Sequence, residues 1–313
     1  MTQIQLGKNG PWVPGLCFGT WAWGDRVFWR YGEDYGASQV REAFTTVVEA
    51  GVAFFDTAEV YGNGLSEKLL GQFMQTTPQP VQIATKYGPM PWRWTAQSVE
   101  EALTASLERL QQSQVTLYQV HWPFKFLMSE KTLMSALAAQ VQQGRIQAVG
   151  VSNYSAVQMR EAADILASYG IPLAVNQVRY SLITRKIESR GILQTAKELG
   201  VTILAYSPLA QGLLTGKYQG NTPPKGPRQW DRRFGEQGGK ELVPVLELLG
   251  CLADHYEKTL AQVALNWLIC QGNVIPIAGV KTAAQVRDNL GALGWSLQPQ
   301  EIEALERVTQ PWL

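Results

Sequence analysis

The chain has 313 residues, 45% of them hydrophobic, and its 27 basic and 26 acidic side chains leave a formal charge of +1. This is enough apolar material for one large core, and the near-balance of charge argues against nucleic acid or an anionic membrane surface as the main partner. No apolar run approaches the roughly 18–20 residues of a membrane-spanning helix, and the start, Met1-Thr2-Gln3-Ile4-Gln5, lacks the regions of a secretory signal, so a cytoplasmic location is expected.

A short leading segment, 4–14, contains a Lys-Asn-Gly-Pro turn signal. Beyond it, short apolar runs alternate with longer amphipathic ones. Strands are predicted near 16–20, 52–55, 81–85, 116–120, 146–150, 173–177, 201–205 and 274–277. Helices are predicted near 38–50, 65–75, 97–111, 130–143, 155–168, 188–199, 240–269 (as two helices) and 282–293. Thr95 with Ser98 reads as the start of the third helix, and Ser152 with Asn153 as the start of the fifth. Gly51, Gly144, Gly170 and Gly200 each fall between a helical pattern and the next strand, where left-handed helix stops are expected.

Eight strand–helix units point to an α/β fold, a closed (β/α)8 TIM barrel forming one domain over 1–313. An open doubly wound sheet with a helical extension is the alternative. The stretch 216–240 breaks the rhythm after the seventh strand, being rich in Gly, Pro, Lys and Arg. It reads either as a lid whose basic residues suit a phosphate-bearing ligand or as a solvated insertion.

Three successive strands end in chemistry. The run Val52-Ala53-Phe54-Phe55 stops at Asp56, with Tyr61 in the loop beyond; the next strand ends at Lys86 and the one after at His121. The C-terminal ends of parallel strands are where such folds place their sites. A phenol of ordinary pKa about 10 is a poor acid near neutrality. A neighbouring ammonium is expected to lower it, and a carboxylate to hold that ammonium charged. Lys86 and Asp56 supply these to Tyr61, and His121 offers a neutral donor for a carbonyl oxygen. Taken singly, each residue has an ordinary alternative as a cap, an ion-pair partner or a surface group. The set lacks a nucleophile or metal, so the electrons must come from a hydride donor. Cys17, Cys251 and Cys270 are odd in number and widely spaced, which suggests reduced, mostly buried thiols. The two histidines form no metal cluster.

These motifs, Phe-Phe-Asp-Thr-Ala-Glu-Val-Tyr-Gly, Ile-Ala-Thr-Lys and Val-His-Trp-Pro, resemble those of the aldo-keto reductases, and the likeness runs from Gly15 to about Leu293. It includes the branch of potassium-channel β subunits and pyridoxal reductases. The resemblance implies a catalytic tetrad of Asp56, Tyr61, Lys86 and His121, and a barrel whose bottom is closed by a hairpin over 4–14. It further implies NADPH bound across the mouth without a Rossmann domain, and no G-x-G-x-x-G follows a strand here. By position, Gly19, Thr20 and Trp21 would lie beside the nicotinamide ribose, with Asp56 close by. Ser152, Asn153 and Gln177 would bind the carboxamide, and Tyr206 would stack on the ring. Ser207, Pro208, Leu209, Gly212 and Lys217 resemble the pyrophosphate loop. Gly279, Lys281, Thr282, Gln285 and Asn289 match the adenosine and 2′-phosphate site. Many relatives carry Arg where Gln285 stands, so a preference for NADP over NAD rests on Lys281.

For the carbonyl substrate, a small molecule, the resemblance and the abundance of aromatics point to Trp23, Trp92 and Trp122 beside Tyr61 and His121. Glu33, Asp34 and Arg93 are further polar candidates. The implied activity is NADPH-dependent reduction of aldehydes or ketones with Tyr61 as acid, by a monomer or homo-oligomer. A channel-subunit-like regulatory protein with weak reductase activity and a Schiff-base aldolase using Lys86 are the rival readings.

Overall fold

The computed structural model describes residues 3–124, 126, 128–218, 224 and 226–313. Two short strands, β1 (Gln3–Gln5) and β2 (Trp12–Pro14), form an antiparallel hairpin. Then follow β3 (Cys17–Gly19), β4 (Phe54–Asp56), β5 (Gln82–Tyr87), β6 (Val115–Val120), β7 (Ile146–Ser152), β8 (Leu173–Arg179), β9 (Thr202–Tyr206) and β10 (Val274–Gly279). These eight pair in parallel, and β10 closes the ring against β3, which excludes the open sheet.

The helices are α1 (Ala37–Glu49), α2 (Leu65–Met74), α3 (Ala96–Leu110), α4 (Glu130–Gln142), α5 (Ala156–Ala167), α6 (Lys186–Ser189), α7 (Ile192–Leu199), α8 (Glu236–Tyr256), α9 (Leu260–Ile269), α10 (Ala283–Leu290) and α11 (Pro299–Val308). No helix among the described residues is long and apolar enough to cross a membrane.

Because strand side chains alternate, each barrel strand serves two cores. Phe18, Phe55, Tyr118 and Val149 join the shell between barrel and helices, whereas Cys17, Phe54, Ala84, Leu117, Ala148, Val175, Leu204 and Ile275 fill the barrel interior. Leu6 and Val13 of the hairpin belong to that interior cluster and stopper its lower end. Hydrogen bonds from Gly7 N to Thr202 Oγ1 (3.0 Å) and from Gln82 Nε2 to the Trp12 carbonyl (2.7 Å) tie the hairpin to strand starts. Two residues further along, the inward positions become polar: Asp56, Lys86, Gln119 and Gln177 are all buried. Gly150 makes room for this layer, since a Cβ there would lie 3.0 Å from Gln119 Cγ.

Thr95 caps α3 as expected, accepting from Ser98 N, and side-chain caps of this kind typically contribute about 1 kcal/mol. The expected glycine stops all have φ between 70° and 73°. The start of α5 is corrected: Ser155 is the cap, while Ser152 lies inside β7. The helix predicted over 188–199 is two, separated at Gly191 with φ 70°. In the segment 216–240, the described part forms 3-10 turns over Gly226–Trp230 and Arg232–Phe234, and α8 begins earlier than predicted. Its residues 219–223 and 225, including Pro223 and Lys225, lie outside the described residues. Helix α11 was not anticipated, although Pro at its first turn and the Gln298/Glu301 box are recognisable start signals. Of the three free thiols Cys17 is buried, Cys270 half-buried and Cys251 exposed, so the expectation of mostly buried thiols fails at Cys251.

Candidate active site

The polar layer converges on Lys86, which is inside β5 rather than just beyond it. Its ammonium is fully buried and donates to Asp56 Oδ2 at 2.6 Å, to the Thr57 carbonyl at 2.8 Å and to the Tyr61 hydroxyl at 3.2 Å. The other Asp56 oxygen accepts from Gln177 Nε2 at 2.7 Å and Gln119 Nε2 at 3.3 Å. Gln119 is a member of this network that sequence reasoning missed; its place next to last in a buried strand carries no signal distinguishing it from a core residue.

The phenol's environment corrects one expectation. Burial pushes the Tyr61 hydroxyl above its ordinary value of 10.0, and the Lys86 ammonium opposes this without overturning it. Lys86 itself is disfavoured by burial but attracted by Asp56 and Tyr61, and stays charged above its ordinary 10.5. The pair therefore stands as neutral phenol and ammonium near neutrality. His121 is driven down to about 2, first by burial and then by Lys86, so its ring is neutral. Its Nδ1 is buried without a partner among the described residues. The imidazole meets the Tyr61 ring edge-on at 5.8 Å and stacks on Trp122 at 3.8 Å with planes 3° apart.

Above this group opens a cavity of about 510 Å³, within the range of small-molecule sites. Asp56, Tyr61, His121 and Trp122 form one end of its wall, with Gly19 and Trp21; the Trp21 ring lies 6.3 Å from that of Tyr61. Ser152, Asn153, Gln177 and Tyr206 continue the lining, followed by Ser207, Pro208, Leu209, Gly212 and Lys217, and then by Gly279, Lys281, Gln285 and Asn289. Tyr206 donates to Asn153 Oδ1 at 3.1 Å, and Asn153 Nδ2 reaches Ser152 Oγ at 3.0 Å, so these amide and hydroxyl groups are mutually oriented.

Four predicted residues fall elsewhere. Thr20 is fully buried behind the wall, its hydroxyl on the Asp56 carbonyl (3.0 Å) and Ser66 (2.7 Å). Trp23 is a core residue, 0% exposed, and donates to the Val280 carbonyl at 2.8 Å. Trp92 is 67% exposed and outside the cavity wall. Thr282 caps α10 by accepting from Gln285 N, also outside the wall. Glu33 and Asp34 pair with Arg30, and Arg93 pairs with Glu59, so these three are occupied by neighbours.

Trp29, from the aromatic-rich loop after the first barrel strand, and Arg228, from the basic stretch 216–240, also line the cavity, as do Gln211 and Asp288, which the sequence does not single out. Arg228 and Lys281 lie over Trp29 at 4.9 and 4.6 Å from its centroid. Burial, reinforced by Arg228 and Lys217, lowers Lys281 to about 8. Buried Nε of Arg228 and Nε1 of Trp29 have no partner among the described residues. This end of the cavity is thus an excess of donors and positive charge that suits a phosphate, while the other end offers amides and a proton donor. A nicotinamide dinucleotide fits that donor set.

The profile of the Aldo/keto reductase family matches residues 15–310. Pyridoxal reductase, chloroplastic, of Arabidopsis thaliana is 40% identical over 315 residues, covering 96% of this chain and 85% of the relative. The NADH-specific methylglyoxal reductase of Escherichia coli (strain K12) is 29% identical, covering 98% of this chain and 100% of the relative. The solved structure of a glycerol dehydrogenase from Gluconobacter oxydans superposes with a TM-score of 0.87 at 28% identity, covering 99% of this chain and 96% of that one.

Proposed function

The chain belongs to the aldo/keto reductase family, and from that premise we propose that it reduces aldehydes or ketones to alcohols with NADPH, its preferred substrates being planar aromatic aldehydes of the pyridoxal type. The observation that carries the reading is the buried line from Asp56 through Lys86 to Tyr61, 2.6 and 3.2 Å, ending at the cavity wall beside His121.

When bound, the reduced nicotinamide supplies a hydride to the carbonyl carbon. Tyr61 gives its proton to the carbonyl oxygen as negative charge develops there. Lys86, held charged by Asp56, stabilises the phenolate that remains. His121, neutral through burial, holds the oxygen without competing for the proton. Ser152, Asn153 and Gln177 would grip the carboxamide, and because Gln177 commits its NH₂ to Asp56, its own carbonyl is left as the acceptor. Tyr206 would support the ring, and Ser207, Pro208, Leu209, Gly212 and Lys217 the pyrophosphate.

The cationic end formed by Lys281 and Arg228, with Gln285 and Asn289, supports NADPH over NADH, although one relative is by name NADH-specific. The rings of Trp21 and Trp122 near Tyr61 support a planar aromatic substrate, as does the name of the 40% identical relative. The test is oxidation of NADPH and of NADH against a carbonyl panel that includes pyridoxal and methylglyoxal, with Tyr61→Phe as the control. That variant is expected to bind NADPH normally and lose roughly 10²–10⁴ in turnover. Unimpaired turnover would remove Tyr61 from the mechanism.

A further inference from the structure

The loop between β4 and α2 carries Tyr61, and its backbone is irregular: Gly62, Asn63 and Gly64 have φ of 56°, 53° and 86° in succession. Such a segment needs an external tie to hold a side chain still. Glu59 supplies one. Its side chain is 9% exposed and lies outside the cavity wall. One carboxylate oxygen accepts from the Gly88 N–H at 2.6 Å and from Arg93 Nη1; the other accepts from Arg93 Nη2 at 2.9 Å. Arg93 Nη1 also donates to the Gly88 carbonyl at 2.9 Å, and the guanidinium rests over the Tyr87 ring at 5.3 Å. One carboxylate thereby joins the residue two before Tyr61 to the residue two after Lys86.

We infer that Glu59 is a positioning residue, which through Arg93 and Gly88 fixes the distance between the Tyr61 hydroxyl and the Lys86 ammonium. A two-pronged guanidinium–carboxylate pair sets angle as well as distance, and a mostly buried one resists dissociation far better than a surface pair. The proton donor stands on the loop after β4, and the ammonium that stabilises its conjugate base stands near the end of β5, so their separation is only as constant as the link between that loop and the end of β5. A reacting group displaced by about 1 Å can lose roughly 10²-fold in rate, whereas the cofactor residues other than Asp56 sit on other strands and take no part in this tie.

The inference rests on the reading of Tyr61 as proton donor. Its test is Glu59→Gln, which keeps the shape and removes the charge, alongside Arg93→Met and Arg93→Lys. Turnover in Glu59→Gln and Arg93→Met is expected to fall about tenfold or more, with the dissociation constant for NADPH, followed by fluorescence, held within about twofold. Arg93→Lys, which keeps one ionic contact, should recover part of the loss. Unchanged turnover overturns the inference, and so does a loss shared equally by turnover, cofactor affinity and Tm, which would mark a merely structural pair. Hydrogen–deuterium exchange of Glu59→Gln gives a reading independent of activity: faster exchange confined to 57–64 and 87–93 supports the tie, and unaltered exchange refutes it. If the unmodified protein reduces no carbonyl compound in the panel, the proposed function fails while the exchange result still decides whether the two loops are tied.

Discussion

Replacing Lys86 by Met separates what the ammonium does for the fold from what it does for chemistry. Met matches the chain length but deletes three contacts, to Asp56 at 2.6 Å, Thr57 at 2.8 Å and Tyr61 at 3.2 Å. It strands a carboxylate that is 3% exposed with only the amides of Gln119 and Gln177 as donors. Removing one partner of a buried ion pair costs about 3–5 kcal/mol. With an unfolding entropy of about 2.1 cal/mol/K per residue over 313 residues, Tm should fall by roughly 5–8 °C. In the proposed reaction turnover should fall by roughly 10²–10⁴, since Tyr61 would lose the cation that stabilises its phenolate. The double variant Asp56→Leu/Lys86→Met removes the stranded charge and should regain much of the stability but none of the activity. Thermal unfolding by circular dichroism and NADPH oxidation measure the two arms. If Lys86→Met melts within about 1 °C of the unmodified protein, or if the double variant recovers turnover, the argument from burial and charge is wrong.

Lys281, lowered to about 8, loses its charge as pH rises through that value. NADPH affinity should therefore weaken about tenfold by pH 9 while NADH affinity stays level; fluorescence titrations showing the same slope for both would locate the phosphate elsewhere. The His121 pKa of about 2 lies below its ordinary 6.5, so its contribution to stability is complete above pH 6.5 and is lost as pH falls from there toward 2. Urea unfolding of His121→Gln should lack a slope of about 1.4 kcal/mol per pH unit in the window from pH 6 to 4 that the unmodified protein shows; equal slopes would mean the imidazole is not held neutral. Trp23→Phe leaves the Val280 carbonyl without its donor and should cost about 1–3 kcal/mol, with the KM for carbonyl substrates unchanged. A raised KM without loss of stability would return Trp23 to the substrate wall.

The barrel was legible because its signals are local and repeated: apolar runs of strand length, glycine stops, and polar residues where buried runs end. Asp56, Lys86 and His121 announce themselves by interrupting hydrophobic sequence. Trp23 and Trp122 are both aromatic residues beyond a strand end, and nothing in their spacing says that one turns into the core while the other faces the cavity. Thr20 has the same ambiguity, since a strand-end residue faces inward or outward according to pleat register. Arg228 is visible in the sequence only as one of several basic residues in the stretch 216–240, because which of them reaches the wall depends on where a long loop lands. The raised pKa of Tyr61 was not readable either: a neighbouring ammonium is visible in a motif, but the extent of burial that outweighs it is a property of the assembled layer. The position of α8 was misjudged because Gly238 and Gly239 are poor helix formers, and tertiary packing overrides them.

Three of the eleven tryptophans, Trp21, Trp29 and Trp122, stand in the cavity wall, one beside Tyr61, one beneath Lys281 and one stacked on His121. The molecule thus carries its own optical reporters at both extremities of the ligand channel. Exchanging these indoles for phenylalanine one at a time would show, from native emission alone, which portion of the channel an incoming compound fills first, without any dye or label.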